Sequence, residues 1–310
     1  MDTSAQGAIV VGVTGPGREP AAMRYAAECA RREGAEVVLV HAYRIATPAP
    51  PPSVLITYAE AADVADRIVK EVGDEFGQLT GGSVDYRTAA VAGQPSRVLV
   101  DLSREARMVV VQHRQVHGLG RLFVGSTATV AAAHAECPVI SVTHDWRSSD
   151  ALGEVVVGVH EGGEPPQVLE AGFSWAAATG APLTIVHAWR LDAAYDDLVT
   201  AADAAQWREK QTEALTAAVA GLRERHPDVP VTLEVRHQWP VDVLVDDSRV
   251  ASLVVVGRHG SRSWAPERLG SVARAVLREA KSPVMVVPVH PHEDGPEDWG
   301  LTADEISPQT

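Results

Sequence analysis

The sequence predicts two consecutive doubly wound α/β domains, each a five-stranded parallel sheet flanked by helices. Apolar β-branched runs alternate with alanine-rich helical stretches, the pattern of a parallel sheet with crossover helices. The alternation occurs twice, and the halves repeat one another at a nearly constant offset, the mark of an internal duplication. Val10-Val11-Gly12-Val13 returns as Val156-Val157-Gly158-Val159, and Val40-His41-Ala42 as Val186-His187-Ala188, 146 residues later. Beyond these the offset is 145: Val98-Leu99-Val100-Asp101 returns as Val243-Leu244-Val245-Asp246, Val109-Val110-Val111 as Val254-Val255-Val256, Gly125-Ser126 as Gly270-Ser271, and Pro138-Val139 as Pro283-Val284. A period this long means duplicated domains, not a solenoid.

In chain order, the first half has expected strands near 8–13, 36–42, 84–91, 108–112 and 138–143, with helices near 20–33, 57–79, 94–106 and 125–135. The second half has expected strands near 154–159, 183–188, 231–237, 252–257 and 284–289, with helices near 166–179, 199–225, 240–249 and 271–280. The right-handed crossover rule then favours a doubly wound sheet in each unit. The expected domains span 1–145 and 152–290. Thr143 to Ala151, with Asp145, Arg147, Ser148, Ser149 and Asp150, lacks apolar periodicity and reads as the joint. Thr47-Pro48-Ala49-Pro50-Pro51-Pro52 reads as a stiff surface loop, either a spacer or a strap beside the site. Residues 291–310 are acidic and turn-rich and read as a poorly ordered tail.

The formal net charge of −14 argues against a general nucleic-acid surface and against an anionic membrane surface. No long apolar span and no basic start with a hydrophobic core occur, as expected of a soluble, cytoplasmic chain. Cys29 and Cys137 occupy non-corresponding places and suggest small buried residues, not a disulfide framework. His113, His117, His134, His144 and His259 share no metal-ligand spacing. His41 and His187 hold the same repeat position and are expected to hydrogen-bond beneath a strand end. Trp175 and Trp207 fall in helical periodicity and are assigned to packing.

The richest segment runs from Val254 to Arg274. A valine strand leads into Gly257 and Gly260, and Gly270-Ser271 opens the next helix, giving G-x2-G-x9-G-S. Open α/β sheets bind ligands at the carboxyl ends of their strands. Glycines let the main chain approach an anion, and Ser271 presents a hydroxyl and unpaired amides at a helix start, so the suggested chemistry is phosphate binding.

This four-position pattern resembles the nucleotide-binding signature of the universal stress protein family, and the duplication makes the chain resemble a tandem member over both repeats. The resemblance implies strand order 3-2-1-4-5 in each repeat, with the nucleotide at the reversal between strands 1 and 4. It implies pairing through the last strands, so that the repeats form an internal pseudo-dimer, with a homodimer as a further option. It also implies ATP as ligand, with Mg2+ carried chiefly by the phosphates. Residue by residue, the implied contacts are Gly158, His160, Ala188, Val256, Gly257, Gly260, Gly270, Ser271 and Val272. Arg258, Arg262 and Arg268 border the loop and either pair with phosphate oxygens or are ordinary surface charge. Glu267 would repel phosphate unless it points outward or holds a divalent cation.

Both repeats depart from the family pattern. Strand 1 of nucleotide-binding members usually ends in Asp, where this chain has His160 in the second repeat and Thr14 in the first. The phosphate half of the second site is intact and its adenosine half is altered, which leaves ATP, another adenine nucleotide or a smaller phosphate-bearing ligand open. The first repeat reads Gln112-x2-Gln115-x9-Gly125-Ser126. Gln adds volume beside the loop and disfavours the positive φ open to glycine, so this repeat is expected to bind nucleotide weakly or not at all. A competing view has the Gln amides serving a different ligand. The implied function is non-catalytic adenine-nucleotide binding in stress response or signalling; a nucleotide-free interaction module of the same fold is the alternative. No Walker A segment, H-x-G-H pair, S-G-G-x-D-S loop or nucleophile elbow supports an enzyme, although slow ATP hydrolysis by bound water stays open.

Overall fold

The computed structural model describes residues 4–44, 58–113, 126–148, 153–160, 166–191, 193–196, 198–258 and 269–289. The proline-rich segment 47–52, the end of the expected joint at 149–151 and the tail at 291–310 lie outside the described residues.

The first repeat comprises β1 (Ile9–Val13), α1 (Pro20–Glu33), β2 (Val37–Tyr43), α2 (Tyr58–Thr80), β3 (Tyr86–Ala92), α3 (Pro95–Leu102), β4 (Met108–His113), α4 (Ser126–His134) and β5 (Val139–Thr143). The second comprises β6 (Val155–Val159), α5 (Pro166–Thr179), β7 (Leu183–Trp189), α6 (Ala193–Asp196), α7 (Ala201–Arg225), β8 (Val231–His237), α8 (Pro240–Asp247), β9 (Leu253–Gly257), α9 (Ser271–Glu279) and β10 (Val284–Val287). Local chemistry sets several of these limits. Pro20 opens α1, where its missing N–H costs nothing, and Gly34 closes it in the left-handed conformation at φ 61°. Thr200 and Asp203 form a reciprocal capping box at the start of α7. Helices α3 and α8 end earlier than the sequence suggests. In each, a serine hydroxyl (Ser103, Ser248) donates 2.6 Å to the carbonyl three residues back and accepts an amide from the far helix end, Glu136 N or Lys281 N, at 2.9 Å. The short α6 was not foreseen, since one turn carries no periodicity.

All ten strands join one sheet in the order β3-β2-β1-β4-β5-β10-β9-β6-β7-β8. Pairing is parallel within each repeat; at the centre β5 and β10 run antiparallel, with Val139 opposite Val286, Ile140 opposite Met285 and Ser141 opposite Val284. That junction removes two edges that would otherwise expose unpaired backbone groups. The outer strand β8 carries charged residues instead, with Arg236 bound to Glu234 and to Asp247 at 2.8 Å.

Helices cover both faces, so the inner strands are apolar on both. Val11, Val110, Val157 and Val255 face α1, α2, α5 and α7, while Val10, Val109, Val156 and Val254 face α3, α4, α8 and α9. Across the junction Tyr25 of α1 stacks on Trp175 of α5 at 6.0 Å and meets Trp146 edge-on at 4.9 Å, and the Arg32 guanidinium lies 4.3 Å from the Trp175 ring centre. Trp175 is therefore a packing residue, as its helical spacing suggests. His41 and His187 place Nδ1 at 3.2 and 3.3 Å from the Val13 and Val159 carbonyls, beneath the strand ends as expected. Cys29 and Cys137 are free and buried, and burial pushes both thiols up to about 12, which keeps them protonated and unreactive. Among the described residues no helix is long and apolar enough to cross a membrane.

Two glycines fix the second repeat more tightly than their composition reveals. A Cβ on Gly153 would sit 2.2 Å from the Val250 carbonyl oxygen, and one on Gly158 would sit 2.8 Å from Leu244 Cδ1. Backbone cannot yield as a leucine tip can. Gly153→Ala is expected to lose about 1–3 kcal/mol, and Gly158→Ala less, in urea unfolding; equal midpoints for Gly153→Ala and the parent would contradict that contact.

Candidate functional site

A cavity of about 880 Å³ opens where the carboxyl ends of β6, β7 and β9 meet α8 and α9. Chain connectivity reverses there: the path from β6 leads outward to β7, whereas β9 lies on the other side of β6. Such a reversal parts the crossover loops and leaves a crevice. The size suits a small-molecule ligand.

At the strand ends the cavity is lined by Gly158, Val159, Val256 and Gly257, and on one side by the start of α9. Gly270 is the N-cap of that helix and provides no side-chain cap, its N–H being engaged with the Arg258 carbonyl at 2.9 Å. The first-turn amides and the Ser271 hydroxyl thus stand at the positive end of the helix dipole, which favours an anion. Of the residues singled out by sequence, Gly158, His160, Ala188, Val256, Gly257, Gly270, Ser271 and Val272 all line this cavity. Gly260, Arg262, Glu267 and Arg268 lie outside the described residues.

Arg258, expected from the sequence to border the phosphate loop, is not among the residues that line the cavity. Its side chain turns from the loop into the junction between repeats, where it is only 9% exposed and Nη1 donates 2.8 Å to the Ala135 carbonyl beyond α4. Burial lowers the affinity of this guanidinium for its proton, against the opposing pull of Glu136. Side chains alternate along an extended chain, so a residue next to Gly257 is presented to a different neighbour. A cation committed to the neighbouring helix end does not serve the cavity.

The first repeat is built differently, and the reason differs from the expected one. Gln112 lies within β4 and Gly257 within β9, and no described non-glycine residue has positive φ, so backbone freedom does not distinguish the two positions. The Gln112 side chain instead reaches the start of α1. Its Oε1 accepts from Ala21 N at 2.9 Å and Ala22 N at 3.2 Å, while Nε2 donates to the Arg18 carbonyl at 2.9 Å. Beside it, buried Glu19 accepts from Thr14 N at 2.9 Å and Thr14 Oγ1 at 2.6 Å. The corner between β1 and α1 is satisfied by its own side chains. The Gln112 amide is therefore engaged with the start of α1; Gln115 and Gly125 lie outside the described residues.

Sequence reasoning missed the aromatic part of the cavity. Trp189, Trp207 and Trp239 line it together with Arg190, Leu191, Val199 and Asp203. Trp207 was assigned to packing, but it forms cavity wall and meets Trp189 edge-on at 5.8 Å. The repeat offsets held a signal: Trp189 corresponds to Tyr43 and Trp239 to Gln94, so both positions carry an indole in one copy only. Asp196 braces this region, with Oδ1 accepting from His237 Nε2 at 2.7 Å and Leu191 N at 3.3 Å, and Oδ2 from Arg190 Nε at 3.0 Å. Burial works against ionisation of Asp196, but these donors and the His237 and Arg190 charges outweigh it and hold the carboxyl below its usual range.

With this geometry in place, comparison with known proteins gives a consistent result. The model of the Universal stress protein family matches residues 7–143 and again 152–288. The chain belongs to that family, as a tandem member. It is 32% identical over 289 residues to a universal stress protein of Mycolicibacterium smegmatis, covering 90% of this chain and 96% of that one. It is also 32% identical over 296 residues to Universal stress protein Rv2005c of Mycobacterium tuberculosis, covering 91% and 97%. Among solved structures, a universal stress protein from Archaeoglobus fulgidus superposes with a TM-score of 0.69 at 15% identity, covering 90% of this chain and 97% of that one. That likeness concerns the fold.

Two outcomes follow from the bracing contacts. Because the Asp196 carboxyl is lowered in the folded state, its stabilisation is complete above the unfolded carboxylate value near about 3.9 and is lost as pH falls through the folded one. Asp196→Asn should therefore shrink the difference in urea midpoint between neutral and strongly acid solution; an unchanged acid limb would contradict the brace. Gln112→Ala should cost about 1–2 kcal/mol by uncapping α1, read by the same denaturation.

Proposed function

We propose that the second repeat binds an adenine nucleotide, ATP with Mg2+ carried on its phosphates, as a non-catalytic nucleotide-responsive stress or signalling protein of the cytoplasm. The observation that carries this reading is the cavity at the strand reversal, lined at the strand ends by Gly158 and Gly257 and faced by the uncapped start of α9. Polyphosphate belongs at Gly257, Gly270, Ser271 and Val272, and the nucleoside lies across β6 towards Ala188. His160, which lines the cavity, stands where a carboxylate is expected at the end of β6, which removes an acceptor from the adenosine pocket and makes the phosphate end the principal anchor. The first repeat contributes structure: its corresponding corner is closed by Gln112 and Glu19.

A specific observation favours a second reading, in which the same end of the fold docks a partner. Tyr195 and Leu198, near the mouth of the cavity in sequence, are 64% and 73% exposed, and Trp239 at its rim is 42% exposed. Nucleotide titration separates the two. Under the leading reading, ATP at roughly 100 times its Kd raises unfolding stability by about 2.7 kcal/mol. Gly257→Gln, which adds a side chain beside the anion, should weaken binding at least about tenfold, or about 1.4 kcal/mol. No calorimetric or thermal response to ATP, ADP or AMP would favour the docking reading instead.

A further inference from the structure

The end of the cavity opposite α9 is built from indoles. Trp189 ends β7, Trp207 stands on α7 and Trp239 immediately precedes α8, so three separate elements converge on one wall. Trp189 is held in place rather than free to swing: His237 stacks on it at 4.2 Å and 23°, and Trp207 meets it edge-on at 5.8 Å and 60°. The Arg190 guanidinium lies 5.8 Å from the centre of the Trp239 ring while its Nε is bound to Asp196.

The placement of this wall matches the length of a nucleotide. In the sheet order β9-β6-β7, the strand bearing Trp189 is two positions from the strand bearing Gly257. Strands lie about 4.8 Å apart, so the indole end is about 10 Å from the glycine end, the separation between a base and its polyphosphate across a ribose.

Among the described residues, Asp203 and Arg190 at the indole end already have partners, and the buried Trp207 Nε1–H, which has none, is a donor that the N7 or N3 acceptor common to adenine and guanine can meet. Asp203 accepts from Thr200 N at 3.0 Å and Thr200 Oγ1 at 2.6 Å, and Arg190 is tied to Asp196. The other side chains there, Leu191, Val199 and Val241, are apolar. Base identity is discriminated strongly when a site hydrogen-bonds the ring edge and leaves partners unpaired with the wrong ring, whereas stacking tolerates any ring because each has a π face. The first repeat has Tyr43 and Gln94 where the second has Trp189 and Trp239, so the indole wall belongs to the copy that carries Gly257.

We infer that Trp189, Trp207 and Trp239 form the base-binding half of the site and recognise a purine by stacking and edge contact, so that adenine and guanine nucleotides are accepted alike. This rests on the nucleotide reading of the same cavity and narrows it. The wider purine ring gains more indole contact than a pyrimidine, and the polyphosphate end contributes the same affinity to all of them.

The test is calorimetric titration of the full chain with ATP, GTP, UTP and tripolyphosphate, each with Mg2+. ATP and GTP are expected within about threefold of one another and both at least about tenfold tighter than UTP. Trp239→Ala, at a half-exposed position, and Trp207→Ala should each weaken both purine nucleotides by about tenfold while leaving tripolyphosphate unchanged. Near-ultraviolet circular dichroism confirms that each variant is folded. An ATP preference over GTP of about thirtyfold or more, or folded variants that bind both purines like the parent, would overturn the inference while leaving nucleotide binding intact. Absence of binding by every nucleotide and by tripolyphosphate would overturn the underlying reading, and this inference with it.

Discussion

Burial of the central strands on both faces is the constraint from which the rest of this structure follows. β1, β4, β6 and β9 are apolar along their inner length because helices cover both sides. A polar or charged group placed there would need a partner that the sheet interior does not offer. Chemistry is thereby confined to the strand ends, and among these the reversal between β6 and β9 is where the crossover loops part. The antiparallel seam of β5 with β10 completes the constraint by removing the inner edges and leaving only β3 and β8 at the margins.

Within that shared frame the two repeats differ at the strand ends that close the crevice in one copy and line it in the other. Gln112 caps α1, whereas Gly257 cannot give α5 the equivalent cap and leaves backbone facing the cavity. Thr14 is bound to Glu19, while its counterpart His160 lines the cavity. Tyr43 and Gln94 give way to Trp189 and Trp239. One copy has turned its polar ends inward to satisfy its own helix starts; the other has kept a crevice and furnished it with rings. Both repeats share the Ser103 and Ser248 ties and the His41 and His187 contacts under the strands.

Much of the fold was legible because its determinants are local or repeated. Valine runs announce doubly buried strands, and the duplication lets each half check the other. The glycine positions were legible for a similar reason: Gly257 and Gly270 have no side chain and Ser271 opens a helix, so their places in the chain nearly fix their places in space. What escaped the sequence depends on side-chain direction and on neighbours far along the chain. Arg258 looked like a phosphate partner until the fold brought Ala135 of the other repeat within reach. Gln112 looked like an obstruction, because nothing near it in sequence reveals the start of α1 some ninety residues away. The indole wall draws on β7, α7 and the approach to α8, and no single window of sequence contains it.

Hydrogen–deuterium exchange of the full chain with and without ATP tests most directly the claim that the crevice of the second repeat is the working site. Exchange is expected to slow at the start of α9 and at the end of β7, with the start of α1 unchanged. Equal protection at the starts of α1 and α9, or protection confined to the first repeat, would contradict it.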